Sequence, residues 1–295
     1  MPHEDVAQPE MALAIDIGGT KMAAGLVDRA GRVTWRQQVP TPPGDDGEVV
    51  WEALAALVSQ APRGASLCGV GCGGPMEGRG ERVSPLNIAG WRGFPLRARL
   101  RQLTGVEVHV DNDAKALALA EGWVGGAAGV RHYLAMVVST GVGGGIVLDG
   151  RLLDGTGGNA GHIGHVVVEP DGRRCSCGGR GCLEAEASGT AIAAVTGRPA
   201  AEAGPDVVRR TGALVGRAVA SVANLLDLQL ATVAGSVALG FGDAFFAAAT
   251  EEIEARCRMD FSAPTRIVPS PLGAEAPLVG AAAVGWRGAG RGELP

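Results

Sequence analysis

Three times in this chain an apolar run ends in a glycine turn. The runs are MALAIDIGGTK from Met11, YLAMVVSTGVGGGIVL from Tyr133 and LATVAGS from Leu230. Short apolar runs bounded by glycine read as buried strands, and glycine at a strand end lets the backbone come close to a ligand. Between them lie stretches with helical spacing of apolar residues: EVVWEALAALVSQ, PLRARLRQLTG, DAKALALAEGW, ALVGRAVASVANLL and DAFFAAATEEIEARCR. KMAAGLVD and GRVTWRQQV read as further strands of a meander. Strands alternating with helices make the class α/β. Glycine supplies 48 of 295 residues, above the ordinary share of about 7%. The glycines cluster after apolar runs. The turn units recur at roughly 100 residues, too long for a solenoid repeat and suited to two related halves.

Several function classes are excluded early. The formal net charge is -5 and no basic run is present, so the chain lacks the clustered cations that bind nucleic acid. No apolar run approaches the roughly 20 residues of a membrane span. The first residues, MPHEDVAQPE, are acidic and polar and do not resemble a signal peptide. A cytoplasmic protein with reduced thiols is expected.

Each turn suits a phosphate. In AIDIGGTK the small residues Gly18 and Gly19 let backbone N–H groups point at an anion, Thr20 adds a hydroxyl and Lys21 a cation. Asp16, at the strand's carboxyl end, can hold a hydrated Mg2+. Thr140 and Gly141 repeat the device in VVSTGVGGGIV. No Gly-Lys-Ser/Thr follows, so this is not a Walker A loop, and the next element reads as a strand, which excludes a Rossmann fingerprint. Gly235 marks the third turn. In VDNDAKALALAE a strand hands over to a helix at Asn112 and Asp113. Asp113 can take a proton from a hydroxyl while Asn112 hydrogen-bonds a sugar, and phosphoryl transfer to an alcohol needs little more than a base, a metal and clamped phosphates. An Asx cluster there also suits a helix N-cap, and the two roles coexist. Lys21 and Lys115 are the chain's two lysines among 26 basic residues.

These motifs, with GCGGPME, VSPLNIAGW and the run HIGHVVVEPDGRRCSCGGRGCLE, resemble the ROK family of bacterial sugar kinases and repressors from about Met11 onward. The resemblance implies the two-domain actin/hexokinase-like (ribonuclease H-like) α/β fold with a cleft between domains. The expected division is a small domain over 1–120, joined by a C-terminal helix over 276–290, and a larger domain over 121–275 that includes a zinc loop at 162–184. ATP and Mg2+ are the implied cofactors, and a homodimer the implied assembly. Gly74, Asn87, Asn112, Asp113, His162, His165 and Glu184 are the implied sugar-binding residues. Asp113 is the implied base. Asp16, Gly18, Gly19, Thr20, Lys21, Thr140, Gly141 and Gly235 fall to the nucleotide. Cys175, Cys177, Cys182 and His165 form a three-thiolate, one-imidazole set suited to tetrahedral Zn2+, structural by the resemblance. Cys68, Cys72 and Cys257 match no ligand pattern and read as core.

One position departs from the family pattern. The family's usual Glu, three residues before the zinc His, is His162 here. Imidazole offers fewer acceptors than a carboxylate and a possible donor. That favours a sugar with a changed substituent near C1 or C2, such as an N-acetyl group, and the reading leans to N-acetylglucosamine. Glucose, and a cyclitol or other sugar-like alcohol, stand as alternatives. A repressor of this family carries a helix-turn-helix ahead of the first strand, whereas ten residues precede Met11 in this sequence. A non-catalytic sensor would be expected to lose Asp113 or a phosphate turn, and this sequence keeps both.

Overall fold

The computed structural model describes residues 10–291, which divide into two compact units. The first runs to Asp113 and takes up the chain again at Glu275; the second is Ala114–Ala274.

In the first unit β1 (Met11–Ile17), β2 (Lys21–Asp28) and β3 (Val33–Pro40) form an antiparallel meander. Helix α1 (Gly47–Val58) follows, its first turn closed by Asp46, whose Oδ1 accepts from the Glu48 N–H at 2.9 Å. Next come β4 (Ala65–Cys72), a small hairpin of β5 (Met76–Glu77) and β6 (Arg82–Val83), α2 (Leu96–Thr104) and β7 (Glu107–Asn112). The sheet order is β3-β2-β1-β4-β7, with β4 and β7 parallel to β1. Ile15, Val70, Leu54, Leu57 and Leu100 share one buried core. The C-terminal helix Ala276–Gly288 packs on β1, β2, β4 and β7. It comes so close that a Cβ on Gly69 would lie 1.9 Å from the Ala281 carbonyl oxygen.

The second unit repeats the plan. After α3 (Asp113–Val124) come the antiparallel strands β8 (Tyr133–Val138), β9 (Val142–Leu148) and β10 (Arg151–Leu152). Two short helices, α4 (Leu183–Ala187) and α5 (Gly189–Thr196), precede the long α6 (Pro205–Leu226). Then follow β11 (Leu230–Ala234), α7 (Ser236–Phe241), α8 (Asp243–Arg256) and β12 (Arg266–Pro269). The order β10-β9-β8-β11-β12 has the same sense as the first sheet: an antiparallel meander, then two parallel strands. Helices α6 and α8 pack together over a core that includes Val215, Val219, Phe245 and Ile253. The C-terminal helix takes the label α9.

The units divide after Asp113, whereas the sequence reading carried the first domain to residue 120. Helix α3 is tied into the second unit by its own bonds: the Tyr133 hydroxyl donates to the Ala118 carbonyl at 2.7 Å, and Lys115 reaches Asp154 at 2.8 Å. No helix among the described residues is long and apolar enough to cross a membrane.

Candidate active site

In the first unit the candidate residues gather at the carboxyl ends of β1, β4 and β7. The turn after Ile17 is internally bonded. Gly18 N–H donates to the Lys21 carbonyl at 3.0 Å, and the Thr41 hydroxyl donates to the Gly18 carbonyl at 2.7 Å. The Gly18 N–H is therefore engaged inside the turn. A Cβ on Gly19 would stand 2.4 Å from the Asn87 Cβ, so glycine here is what seats Asn87 beside the turn after β1. Gly74 lies just past β4, and its neighbour Pro75 accepts from the Ser84 N–H at 2.9 Å, joining this loop to the segment that carries Asn87. Asn112 ends β7, with its N–H bonded to Asp111 Oδ1 at 2.8 Å. Asp113 opens α3 and is exposed. Burial, and then the negative charge of Asp113, raise the Asp16 carboxyl to about 7, with Lys21 opposing. A buried carboxyl beside a second carboxylate forms a donor set short of positive charge, which suits a divalent cation.

In the second unit a different set converges on the β8–β9 turn. Glu184 Oε2 accepts from the Val142 N–H at 3.0 Å, so this carboxylate buttresses the turn that holds Thr140 and Gly141. Helix α5 backs the same turn: Gly189 N–H donates to the Ser139 carbonyl at 2.7 Å, and the Thr190 hydroxyl to the Thr140 carbonyl at 2.9 Å. Gly235 follows β11, and the hydroxyls of Ser236 and Ser139 lie 3.0 Å apart. These partners are 42 to 97 residues apart in sequence, and no local pattern announced them. Lys115, read from sequence only as an uncommon lysine, is buried. Besides Asp154 it meets the Gly158 carbonyl at 3.1 Å, so it anchors the loop that leads to His162.

His162 and His165 flank a short 3-10 turn, their rings 6.0 Å apart. The four proposed metal ligands are assembled: one donor atom from each of His165, Cys175, Cys177 and Cys182 lies within 4.8 Å of all the others. The Cys177 and Cys182 sulfurs are 3.8 Å apart, and Cys175 Sγ is 3.7 Å from His165 Nδ1. A tetrahedral zinc with Zn–S bonds of about 2.3 Å and a Zn–N bond of about 2.0 Å needs edges of roughly 3.8 and 3.5 Å. The residues fit the ion.

The sequence profile described as the ROK family matches residues 12–286. The chain belongs to the ROK family. Among curated proteins this ROK chain is 39% identical over 246 residues to an N-acetylmannosamine kinase of Escherichia fergusonii, covering 78% of this chain and 84% of that one. It is 41% identical, over the same shares, to an N-acetylmannosamine kinase of Citrobacter koseri. Among solved structures, a ROK hexokinase from Thermus thermophilus superposes with a TM-score of 0.82 at 35% identity, over 96% of this chain and all of that one. A ROK family glucokinase from Streptomyces griseus, solved with glucose and AMPPNP, gives 0.82 at 30% identity, over 94% of this chain and 99% of that one. The fold is the α/β fold of the actin/hexokinase-like sugar kinases, and this ROK protein is a sugar kinase.

Proposed function

We propose that this ROK kinase phosphorylates the 6-hydroxyl of an N-acetylhexosamine with ATP, and that its substrate is N-acetylmannosamine. The observation that carries the sugar is the run of N-acetylmannosamine kinases at 39–41% identity over 78% of the chain. The sequence argument leaned to the C2 epimer, N-acetylglucosamine; both sugars carry the acetamido group for which His162 was read. Glucose stands second, supported by the Streptomyces griseus glucokinase.

Asp113 takes the proton of the 6-hydroxyl as its oxygen bonds to the γ-phosphorus, and the bond to the bridging oxygen of ADP breaks. Asn112, Asn87 and Gly74 are the proposed sugar residues of the first unit; His162, His165 and Glu184 are those of the second. The N–H groups of Gly19 and Thr20, with Lys21, are the phosphate donors proposed for the first unit; those of Thr140, Gly141 and Gly235 are the ones proposed for the second. Magnesium at Asp16 supplies charge neutralisation for the phosphate oxygens. Zinc at the Cys/His set is structural: it holds the loop from His165 to Glu184 in shape. With Nδ1 toward the thiolates, His165 keeps Nε2 for a sugar hydroxyl.

His162 supplies the test. An acetamido carbonyl is an acceptor that an imidazole N–H can meet, and an unmatched buried polar group costs about 1–3 kcal/mol. The wild type is expected to favour N-acetylmannosamine over glucose by tenfold or more in kcat/KM, the equivalent of about 1.4 kcal/mol. His162→Glu is expected to move that ratio toward glucose. A wild type preferring glucose tenfold would overturn the N-acetylhexosamine reading and leave the kinase standing; one preferring N-acetylglucosamine would overturn only the choice of epimer.

A pH limb arises from Asp16. Its raised carboxyl keeps a proton to higher pH than usual, and magnesium needs the ionised form. The value of kcat/KM for ATP, which reports the free enzyme, is therefore expected to rise with pH through about 7 and to fall below it. Asp16→Asn should abolish the limb along with most activity. A flat wild-type profile from about pH 5.5 to 8.5 would remove Asp16 from this role.

A further inference from the structure

The metal loop joins the rest of its unit through a buried carboxylate to which the proposed chemistry gives no part. Glu186 lies on α4 with its side chain 2% exposed. Its Oε1 accepts from the Arg173 backbone N–H at 2.6 Å. Its Oε2 accepts from Arg210 Nη2 at 2.8 Å and lies 3.2 Å from Arg173 Nη1. Both arginines also bond the backbone of α4: Arg173 donates to the Ala185 carbonyl at 3.1 Å and Arg210 to that of Glu186 at 3.3 Å. The approach leaves no room for a side chain beside it, since a Cβ on Gly172 would lie 2.4 Å from Glu186 Oε1. Burial works against ionisation of Glu186, but the Arg173 N–H and the two guanidiniums outweigh it and hold the carboxyl below the usual range.

The placement of these bonds gives them their meaning. Arg173 stands two residues before Cys175, and α4 begins directly after Cys182. Glu186 therefore ties the entry of the cysteine loop to its exit, and Arg210 ties both to α6. Within the loop, Gly181 N–H donates to the Arg173 carbonyl at 2.8 Å and Cys175 N–H to the Gly179 carbonyl at 2.9 Å. The same short helix carries Glu184, which supports the phosphate turn through Val142. Partners outside the ligand set commonly change metal affinity by about 10- to 100-fold, because they fix where the ligands stand.

We propose that Glu186 is the positioning residue of the metal loop: through Arg173 and Arg210 it holds Cys175 and Cys182 in place for the ion and keeps α4, with Glu184, against the β8–β9 turn. The proposal rests on the zinc reading of the loop. Its geometry needs no ion, because every bond named is between protein atoms.

Glu186→Gln preserves shape but turns an amide N–H₂ toward guanidinium donors, and it tests the idea in two ways on the full chain. Zinc release from the purified protein to a chromogenic chelator is expected to be about tenfold faster or more. Hydrogen exchange in zinc-free protein is expected to lose protection across residues 173–182 while α6 and β8 keep theirs. Should that variant fail to fold, Arg210→Met removes one partner from a half-exposed position and is expected to speed release by a smaller factor. Unchanged release and unchanged exchange, with only a lower melting temperature, would show ordinary packing and overturn the proposal. If the wild type holds no zinc, the metal reading fails by itself, and the exchange comparison alone upholds or overturns Glu186 as the residue that holds the loop.

Discussion

Asp113→Asn is expected to lower kcat by about two to four orders of magnitude, the share that a positioned general base commonly supplies. Asparagine matches aspartate in size and can still accept a hydrogen bond, but it cannot take the proton from the 6-hydroxyl. Asp113 is exposed at the first turn of α3, so the exchange leaves the core untouched, and KM for the sugar should stay within a few-fold. The variant carries a second signature. The Asp113 charge contributes to the raised Asp16 carboxyl, so its removal should move the acid limb of kcat/KM for ATP to lower pH. A kcat within about fivefold of the wild type would exclude Asp113 as the base.

Cys177→Ser is expected to strip the protein of zinc and to lower kcat/KM for the sugar by about two orders of magnitude, the upper range for a disturbed metal environment. Cys177 is exposed whereas Cys175 and Cys182 are buried, so exchange of its sulfur for oxygen opens no cavity. The loss is of one ligand among four. The loop between His165 and Glu184 then relies on its protein bonds alone, and with it the two residues proposed to meet the sugar from that side. Elemental analysis should find about one zinc per chain in the wild type. Fully active enzyme without zinc would end the assignment.

The strands and long helices were legible because each carries its own periodicity: β1 is a buried run and α6 is amphipathic over 22 residues. The short elements were not. Helix α4 has five residues and α7 six, too few for a period to declare itself, and their places are set by distant partners such as Val142 and Ser139. The side to which α3 belongs was not legible for a related reason: α3 looks continuous with the Asn112–Asp113 junction in sequence, yet its bonds to Tyr133 and Asp154 bind it to the second unit. The convergence of His165, Cys175, Cys177 and Cys182 was legible because four soft or basic residues at close spacing have few other uses. The role of Glu186 was hidden, because in CLEAEAS it is one more acidic residue and its partners lie 13 and 24 positions away. His162 was legible as a departure but not in its consequence, since the sequence offers no view of which sugar epimer an imidazole would prefer.

Helix α9 gives the first unit an order of assembly. The sheet of β1, β4 and β7 is synthesised before the second unit, but the helix that covers one of its faces is synthesised after it, and the second unit is continuous in between. On a ribosome, the second unit can complete its core from a single uninterrupted stretch, while the first must wait with Gly69 and its neighbours uncovered until α9 has followed it. The unit that carries the proposed base is thus finished after the second unit, although it is begun before it.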